Sequence, residues 1–351
     1  MTSPGLLAKY EADVKVQYPY VNSDKQYCVT ITREKLRNAF TSWANLEQFV
    51  DGLTQSLYNG AYIDRYNFYK GLVTNAYLQN AVQIEQISNP SSEAQAKAFV
   101  TKARELYLNM QEPTSDYNAW NKVGGYGRAV LTWSDPEDLV FLIRNDLASY
   151  IDVNVLADAF NIEKTSLLGR IKYVKDFNVR DKKGNIIMDG SNILGMMADK
   201  RWFRIKNQEI KTDEFYNANN RTWNVYLDDV NMIQFSLFSN AYVFATALPQ
   251  VTITALAVSD DDVTISAGST KKIAVSTTPA QANYPDISVE SSASGVATAT
   301  ISGREITITG VASGDGVDGE ATITVTAGNV SKTIAVTVPY VAPAEVTSGQ
   351  E

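Results

Sequence analysis

Histidine is absent from all 351 residues. It is the side chain that most often moves protons near neutral pH, and the commonest metal ligand. Its absence excludes Ser-His-Asp triads, Cys-His dyads and histidine-built zinc or iron sites. Carboxylate, lysine and tyrosine chemistry stay open, but the expectation of an enzyme falls. Cysteine occurs once, at Cys28. No intramolecular disulfide and no cysteine zinc site can form, and a lone Cys between Tyr27 and Val29 reads as a small strand residue. No run approaches the ~18 consecutive apolar residues that span a bilayer. The N-terminus, MTSPGLLAKYEADVKV, lacks the charged and apolar regions of a secretory signal. What is present is a globular mix: 44% hydrophobic residues, enough for a sizeable core, over a length that predicts one to three domains.

The composition breaks near Ala247-Leu248-Pro249-Gln250. From Val251 onward there are four Lys/Arg against eleven Asp/Glu, a net of −7, leaving 27 and 28 before it, a net of −1. All five Trp and all six Met precede the break. The last hundred residues alternate with period two in short runs such as VTITALAVS, DVTISAG, KKIAVSTTP, EITITG, EATITVTAG and KTIAVTV. Gly, Pro, Asn or Asp separates them. Alternation means one buried and one wet face, and evenly spaced short strands predict a β-sandwich of immunoglobulin-like size.

The first 250 residues predict α+β structure. Val14 to Ile31 reads as a hairpin about Asn22-Ser23-Asp24. Thr32 suits a helix N-cap, with Glu34 placed for the dipole. Leu36, Phe40, Trp43, Leu53 and Leu57 follow at helical spacing, with Gly60 as the stop. Further helices are expected over Tyr62 to Ala81, Ser91 to Asn109 and Asn154 to Asn161. Strands are expected at Ala129 to Trp133, Leu139 to Ile143, Arg170 to Phe177, Ile193 to Ala198 and Trp202 to Lys206, then a long extended stretch from Thr222 to Phe244. The stretch Ser134 to Lys164 joins a buried strand to Leu147, Tyr150, Ile151, Val155, Leu156 and Phe160 at helix-like intervals.

Nothing in the chain makes a convincing chemical site. Gly124-Gly125-Tyr126-Gly127-Arg128-Ala129 lacks GxxxxGK[ST] spacing and fails GxGxxG because Val occupies position 130; it reads as a loop. Asp260-Asp261-Asp262, with Asp315 and Asp318, is adjacent in sequence rather than convergent, so a solvated turn is preferred to calcium. The sequons at Asn220 and Asn329 mean little without a secretory signal. Arg180-Asp181-Lys182-Lys183 and Lys200-Arg201 read as solvated turns, and there is no basic stripe of the kind a sequence-specific DNA binder shows. No catalytic, cofactor-binding or metal-binding residue is assigned and no cofactor is expected. Tyr62, Tyr66 and Tyr69 fit a face toward neighbouring molecules as well as a core.

Two resemblances follow from ordered sets of residues. Phe40-Thr41-Ser42-Trp43, Ser56-Leu57-Tyr58-Asn59-Gly60 and Ile63-Asp64 resemble the long spine helix of phi29-like podovirus major capsid proteins. Asp135-Pro136-Glu137-Asp138-Leu139-Val140, Gly169-Arg170-Ile171, Ala198-Asp199-Lys200-Arg201-Trp202-Phe203 and Phe215-Tyr216-Asn217 continue the likeness to the Hong Kong 97-type coat fold. Residues 251–338, with Val-Thr-Ile-Ser-Ala-Gly, Thr-Thr-Pro-Ala, Val-Ala-Thr-Ala and Ile-Thr-Gly-Val-Ala-Ser-Gly in order, resemble the bacterial Ig-like group 2 (Big2) domain. That family's usual Trp before Ser291-Ser292 is missing here.

The resemblance implies a phage coat domain over 1–249, with an extended loop or arm remnant over 1–31. A spine helix and peripheral helices over 32–110 would follow, then axial and remaining peripheral parts over 111–249. A Big2 domain over 250–340 and a flexible tail over 341–351 complete the expectation. Only about thirty residues precede Thr32, fewer than such coats usually carry, which implies a truncated, processed or shortened arm. The implied function is a non-enzymatic major capsid protein. It would self-assemble into hexamers and pentamers of an icosahedral or prolate head around double-stranded DNA, held non-specifically. Scaffolding and portal proteins are implied partners. The Ig-like domain would serve decoration, stabilisation or weak binding to a host-surface glycan or protein. The implied location is the virion, after assembly in the host bacterial cytoplasm, with no membrane. A bacterial or phage surface adhesin carrying a Big2 domain is the alternative.

Overall fold

A computed structural model describes residues 14–40, 43–90, 92–123, 129–148, 170–181, 183–313 and 316–341. The helix expected over Asn154 to Asn161 and the Gly124–Arg128 loop lie outside the described residues. The chain divides into two compact units, Met1–Leu248 and Pro249–Glu351.

The first unit opens with β1 (Ser23–Thr32), α1 (Arg33–Ala39) and α2 (Trp43–Leu78). No hairpin turns at Asn22. β1 instead pairs antiparallel with a distant strand from Ser23↔Asn231 to Thr32↔Thr222, because that strand supplies the facing apolar row. Thr32 caps α1, its hydroxyl accepting from Lys35 N at 3.3 Å. The helix expected from Thr32 is thus two helices, α1 and α2.

Gly60 does not stop α2, which runs 36 residues, roughly 54 Å at 1.5 Å per residue. A Cβ at Gly60 would lie 2.9 Å from Cδ1 of Tyr27, so the glycine admits an aromatic ring from β1 against the helix. The true stop is Asn80, which takes φ 51. Its N–H donates to Tyr77 O and that of Ala81 to Ala76 O, both at 2.8 Å. This is a Schellman ending, with Asn in the left-handed position usually held by Gly.

There follow β2 (Gln83–Gln86), α3 (Glu93–Asn109), β3 (Leu139–Arg144), α4 (Asn145–Ala148), β4 (Ile171–Val174), β5 (Val179–Arg180), β6 (Ile186–Met188), β7 (Ile193–Asp199), β8 (Phe203–Asn217), β9 (Thr222–Phe235) and β10 (Ala241–Ala245). Ser92 caps α3 through Gln95 N at 3.4 Å. Where a strand was expected over Ala129 to Trp133, only a bridge between Thr114 and Thr132 forms. The strand expected at Trp202 to Lys206 is 15 residues long, and the stretch from Thr222 to Phe244 divides into β9 and β10.

A five-stranded mixed sheet has the order β2-β10-β7-β3-β4, with β2/β10 and β3/β4 parallel. Every residue of its central strand, ILGMMAD, is buried, the continuous apolar pattern of a strand covered on both faces. On one face Leu194 and Met197 meet Phe99, Leu106 and Met110 of α3 and its C-cap. On the other, Met196 and Ala198 meet Val73, Ala76 and Tyr77 of α2, together with the fully buried Trp202. Burial of each such large side chain stabilises the fold by about 1.5–3 kcal/mol. A second, three-stranded antiparallel sheet, β1-β9-β8, lies against the middle of α2 through Leu57, Ala61 and Leu227.

The second unit contains β11 (Ala255–Val258), β12 (Asp262–Thr264), β13 (Thr270–Thr278), β14 (Ser288–Ser291), β15 (Ala297–Ser302), β16 (Glu305–Gly310), β17 (Gly319–Ala327) and β18 (Val330–Val338). They form two four-stranded sheets, β11-β13-β16-β15 and β12-β18-β17-β14. Strict alternation, as in β17 where Gly319, Ala321, Ile323, Val325 and Ala327 are the buried residues, sends Ile273, Ile306 and Ile308 from one sheet, and Ile323, Val325 and Ile334 from the other, into a shared core. The sandwich follows from period-two patterning on eight short strands.

Candidate functional site

Among the described residues no group of three or more Cys, Asp or Glu side chains is placed to hold a metal ion. The Asp260 and Asp261 carboxylates face Lys271 and Lys332, at 3.3 and 3.5 Å. Lys200 pairs with Asp138 at 2.6 Å and Arg201 with Asp199 at 2.6 Å. The features that stand out in the first unit are a buried polar lock and several outward apolar surfaces.

The lock joins α2 to the three-stranded sheet. Asp64 of α2 accepts from Lys25 Nζ at 2.8 Å and from the Tyr27 hydroxyl at 2.7 Å. Next along the helix, Arg65 reaches Asp229 of β9 at 3.3 Å, and Asn207 of β8 donates to the same Asp229 oxygen. Asp229 is 1% exposed. Burial, then the hydrogen bond to the Asp64 carboxylate, pushes the Tyr27 phenol well above its ordinary pKa, so it remains a donor. No sequence pattern marks these residues as a lock, although Ile63-Asp64 belongs to the ordered set of residues along α2. The one available signal was Asp229 in phase with Leu227 and Asn231 on the inward side of a strand.

Outward, the far end of the β8–β9 hairpin exposes Phe215 (62%) and Tyr216, the latter against Trp223 at 4.8 Å between ring centres. Residues 14–22 run beside β9 without joining its ladder. Gln17 donates to Phe235 O and accepts from Leu237 N, and Asn22 does the same at Ile233. These two side-chain amides supplement a single backbone bond, from Asn22 N–H to Asn231 O at 3.3 Å, and Val14, Val16, Tyr18 and Tyr20 all face solvent.

A groove of about 700 Å³ runs between α2 and the β3–β4 edge, lined among others by Tyr66, Tyr69, Lys172, Tyr173 and Phe203. Tyr62, Tyr66 and Tyr69, left open between core and neighbour, are all about half exposed. Burial, then the Asp176 carboxylate, raises the Tyr66 pKa. Lys70 pairs with Asp176 at 3.1 Å.

The segment 130–134 inverts the usual amphipathic rule. Thr132 and Ser134 point inward, while Leu131 (60% exposed) and Trp133 (57%) point out. The inward polar groups are sewn to the frame. Asn118 donates to Val130 O and to Thr132 Oγ1, and Asn240 donates to Met110 O and to Ser134 Oγ. Thr132 in turn donates to Asn240 Oδ1. Thr132, Ser134 and Asn240 are bonded through these contacts, Asn118 Oδ1 is buried without a partner, and two large apolar side chains are left in water.

Residues 6–245 match the model of a family described as Phi29-like phage major capsid protein. The chain is 31% identical over 245 residues to the major capsid protein of Bacillus phage B103, covering 68% of this chain and 50% of that protein. It is likewise 31% identical over 242 residues to that of Bacillus phage PZA, with the same coverage. The chain therefore spans about half the length of these relatives. Among solved structures, the capsid structure of Staphylococcus phage Andhra aligns with a TM-score of 0.51 at 15% identity, covering 64% of this chain and 70% of that one. At that identity the likeness is one of fold.

Proposed function

The chain belongs to the Phi29-like phage major capsid protein family, and from that premise we propose that it is a coat subunit. It joins copies of itself into the hexamers and pentamers of an icosahedral or prolate head around double-stranded DNA. The family match over 6–245 carries this reading. Its physical support lies in the first unit, where aromatic and apolar side chains are exposed on the hairpin, the 14–22 segment and the α2 groove. Large exposed apolar surface marks interaction sites. Repeated heterologous contacts, each weak, close into rings.

The first unit on this reading is a coat domain of the Hong Kong 97 type, with α2 as the spine helix and β8–β9 as the extended loop. The DNA it encloses is held non-specifically, scaffolding and portal proteins assist assembly in the host cytoplasm, and the finished location is the virion shell. The role is structural rather than catalytic. The second unit is an Ig-like domain of the Big2 type, supported by its two sheets and alternating core. Its net negative charge resists association with DNA, which suits an outward position for decoration, stabilisation or weak host-surface binding. The family match weighs against the adhesin alternative.

Sedimentation velocity and negative-stain microscopy of the full chain test the proposal. Rings, tubes or shells are expected. A chain that stays monomeric at high concentration, with and without a scaffolding protein, overturns it.

A further inference from the structure

Leu131 and Trp133 are the least explained side chains of the first unit. The alternation that exposes them is enforced from inside by Asn118, Thr132, Ser134 and Asn240, so their position is not an accident of a loose loop. Exposed carboxylates, Asp135 and Glu137, follow directly in the chain. The same unit presents the groove of about 700 Å³ beside the β4 edge. Its rings are Tyr66, Tyr69, Tyr173, Phe177 and Phe203, of which the three tyrosines are exposed. Of its lysines, Lys70 and Lys200 are paired with Asp176 and Asp138, while Lys172 has no ion pair among the described residues.

We propose that Trp133, with Leu131, of one copy seats in the Tyr66-Tyr69-Tyr173 groove of the next copy, with Asp135 or Glu137 facing Lys172. The inference rests on the coat reading. Two observations select a second copy as the occupant. The groove offers aromatic faces and an ammonium group, which an indole meets by ring stacking and by cation–π attraction. The charges also complement each other, since an acidic knob meets a groove whose unneutralised charge is positive. A polyanion is disfavoured because the carboxylates beside Trp133 repel it. Knob and groove are built from different residues, bordering one another through the Lys200–Asp138 pair, so each copy can offer its knob to one neighbour and its groove to another, as a ring or lattice requires. A buried Trp is also the residue most often found to dominate an interface.

The test uses full-length chains carrying Cys28→Ser, so that no native thiol competes. One preparation adds Trp133→Cys and another Tyr173→Cys. Mixed under assembly conditions and oxidised, they are expected to form a disulfide-linked heterodimer, while neither forms a linked dimer alone. In parallel, Lys172→Glu in the otherwise native chain is expected to weaken self-association by roughly tenfold or more. Adding Glu137→Lys and Asp135→Lys restores it, with the thermal melt unchanged throughout. Trp133→Cys linking to itself, or assembly that proceeds with no heterodimer and no effect of Lys172→Glu, overturns the inference and leaves the coat reading standing. A native chain that never associates, with or without scaffold, overturns both.

Discussion

Arg65 on α2 and Asp229 on β9 form an ion pair at 3.3 Å in which the carboxylate is 1% exposed and the guanidinium keeps about a third of its exposure. The pair ties the longest helix to the longest strands at their shared midpoint. Asp229→Ala strands Arg65 without this acceptor and leaves the Asn207 amide only Asn231 Oδ1 to donate to. The expected loss is about 3 kcal/mol, toward the low end for a buried pair because Arg65 retains water. Arg65→Met with Asp229→Leu is expected to recover most of it. Denaturant unfolding measures both, and a single variant as stable as the parent contradicts the lock.

Two glycines make opposite predictions. A Cβ at Gly195 in β7 would sit 2.8 Å from Leu142 O, a backbone atom that cannot swing away, whereas Gly52 in α2 has nothing within 4 Å. Gly195→Ala is expected to cost about 1–3 kcal/mol through overpacking. Gly52→Ala is expected to add about 0.5–1 kcal/mol through helix propensity. Thermal melts of the two variants should move in opposite directions; a shared direction refutes the packing argument at Gly195.

Acid should loosen the first unit at Asp176. Burial opposes its ionisation, but hydrogen bonds from Lys70 and Arg180 outweigh burial and hold the carboxyl below its ordinary range. A folded pKa below the unfolded one means full stabilisation above the ordinary carboxylate value of about 4. That stabilisation is lost as pH falls through the folded value. The melting temperature is therefore expected to fall between about pH 5 and about pH 2, and to fall less in Asp176→Asn. Equal slopes in the two proteins rule the group out.

In the second unit, Ile323 is fully buried at the centre of the shared core. Ile323→Ala is expected to destabilise that unit by about 2–5 kcal/mol. Hydrogen exchange on the intact chain reads this locally, as faster exchange in β17 and its partners β14 and β18. An unchanged exchange pattern means that Ile323 does not hold the two sheets together.

Much of the architecture was legible in the residues because burial leaves a pattern. Ile193 to Ala198 reads as a strand from its unbroken apolar run, and the second unit declares its strands by period two. Other features had no local signature. Gly60 reads as a helix stop, yet its meaning depends on Tyr27, more than thirty residues away. β8 hides because Asn207 to Asp213 is nearly all polar: much of that ladder is wet, and hydrogen bonding to β9, not burial, holds it extended. Tyr66 and Tyr69 lie on a helical stripe that suits a core, and only the fold decides that they border an open groove. Leu131 and Trp133 sit in an alternating stretch, and alternation alone cannot say which side of a strand meets water. The Asp229 lock left only a phase signal because its partners come from α2 and β8, and those of the neighbouring Asp64 from β1.

The stitching of Thr132 and Ser134 to Asn118 and Asn240 has a consequence for binding kinetics. A hydrophobic surface that owes its shape to directional bonds beneath it need not wait for a visitor to become ordered. Whatever covers Leu131 and Trp133 meets a stiff template, so little conformational entropy is surrendered on that side. Weak encounters there can remain reversible while still being selective about geometry, which lets a growing lattice discard misplaced members before they are trapped.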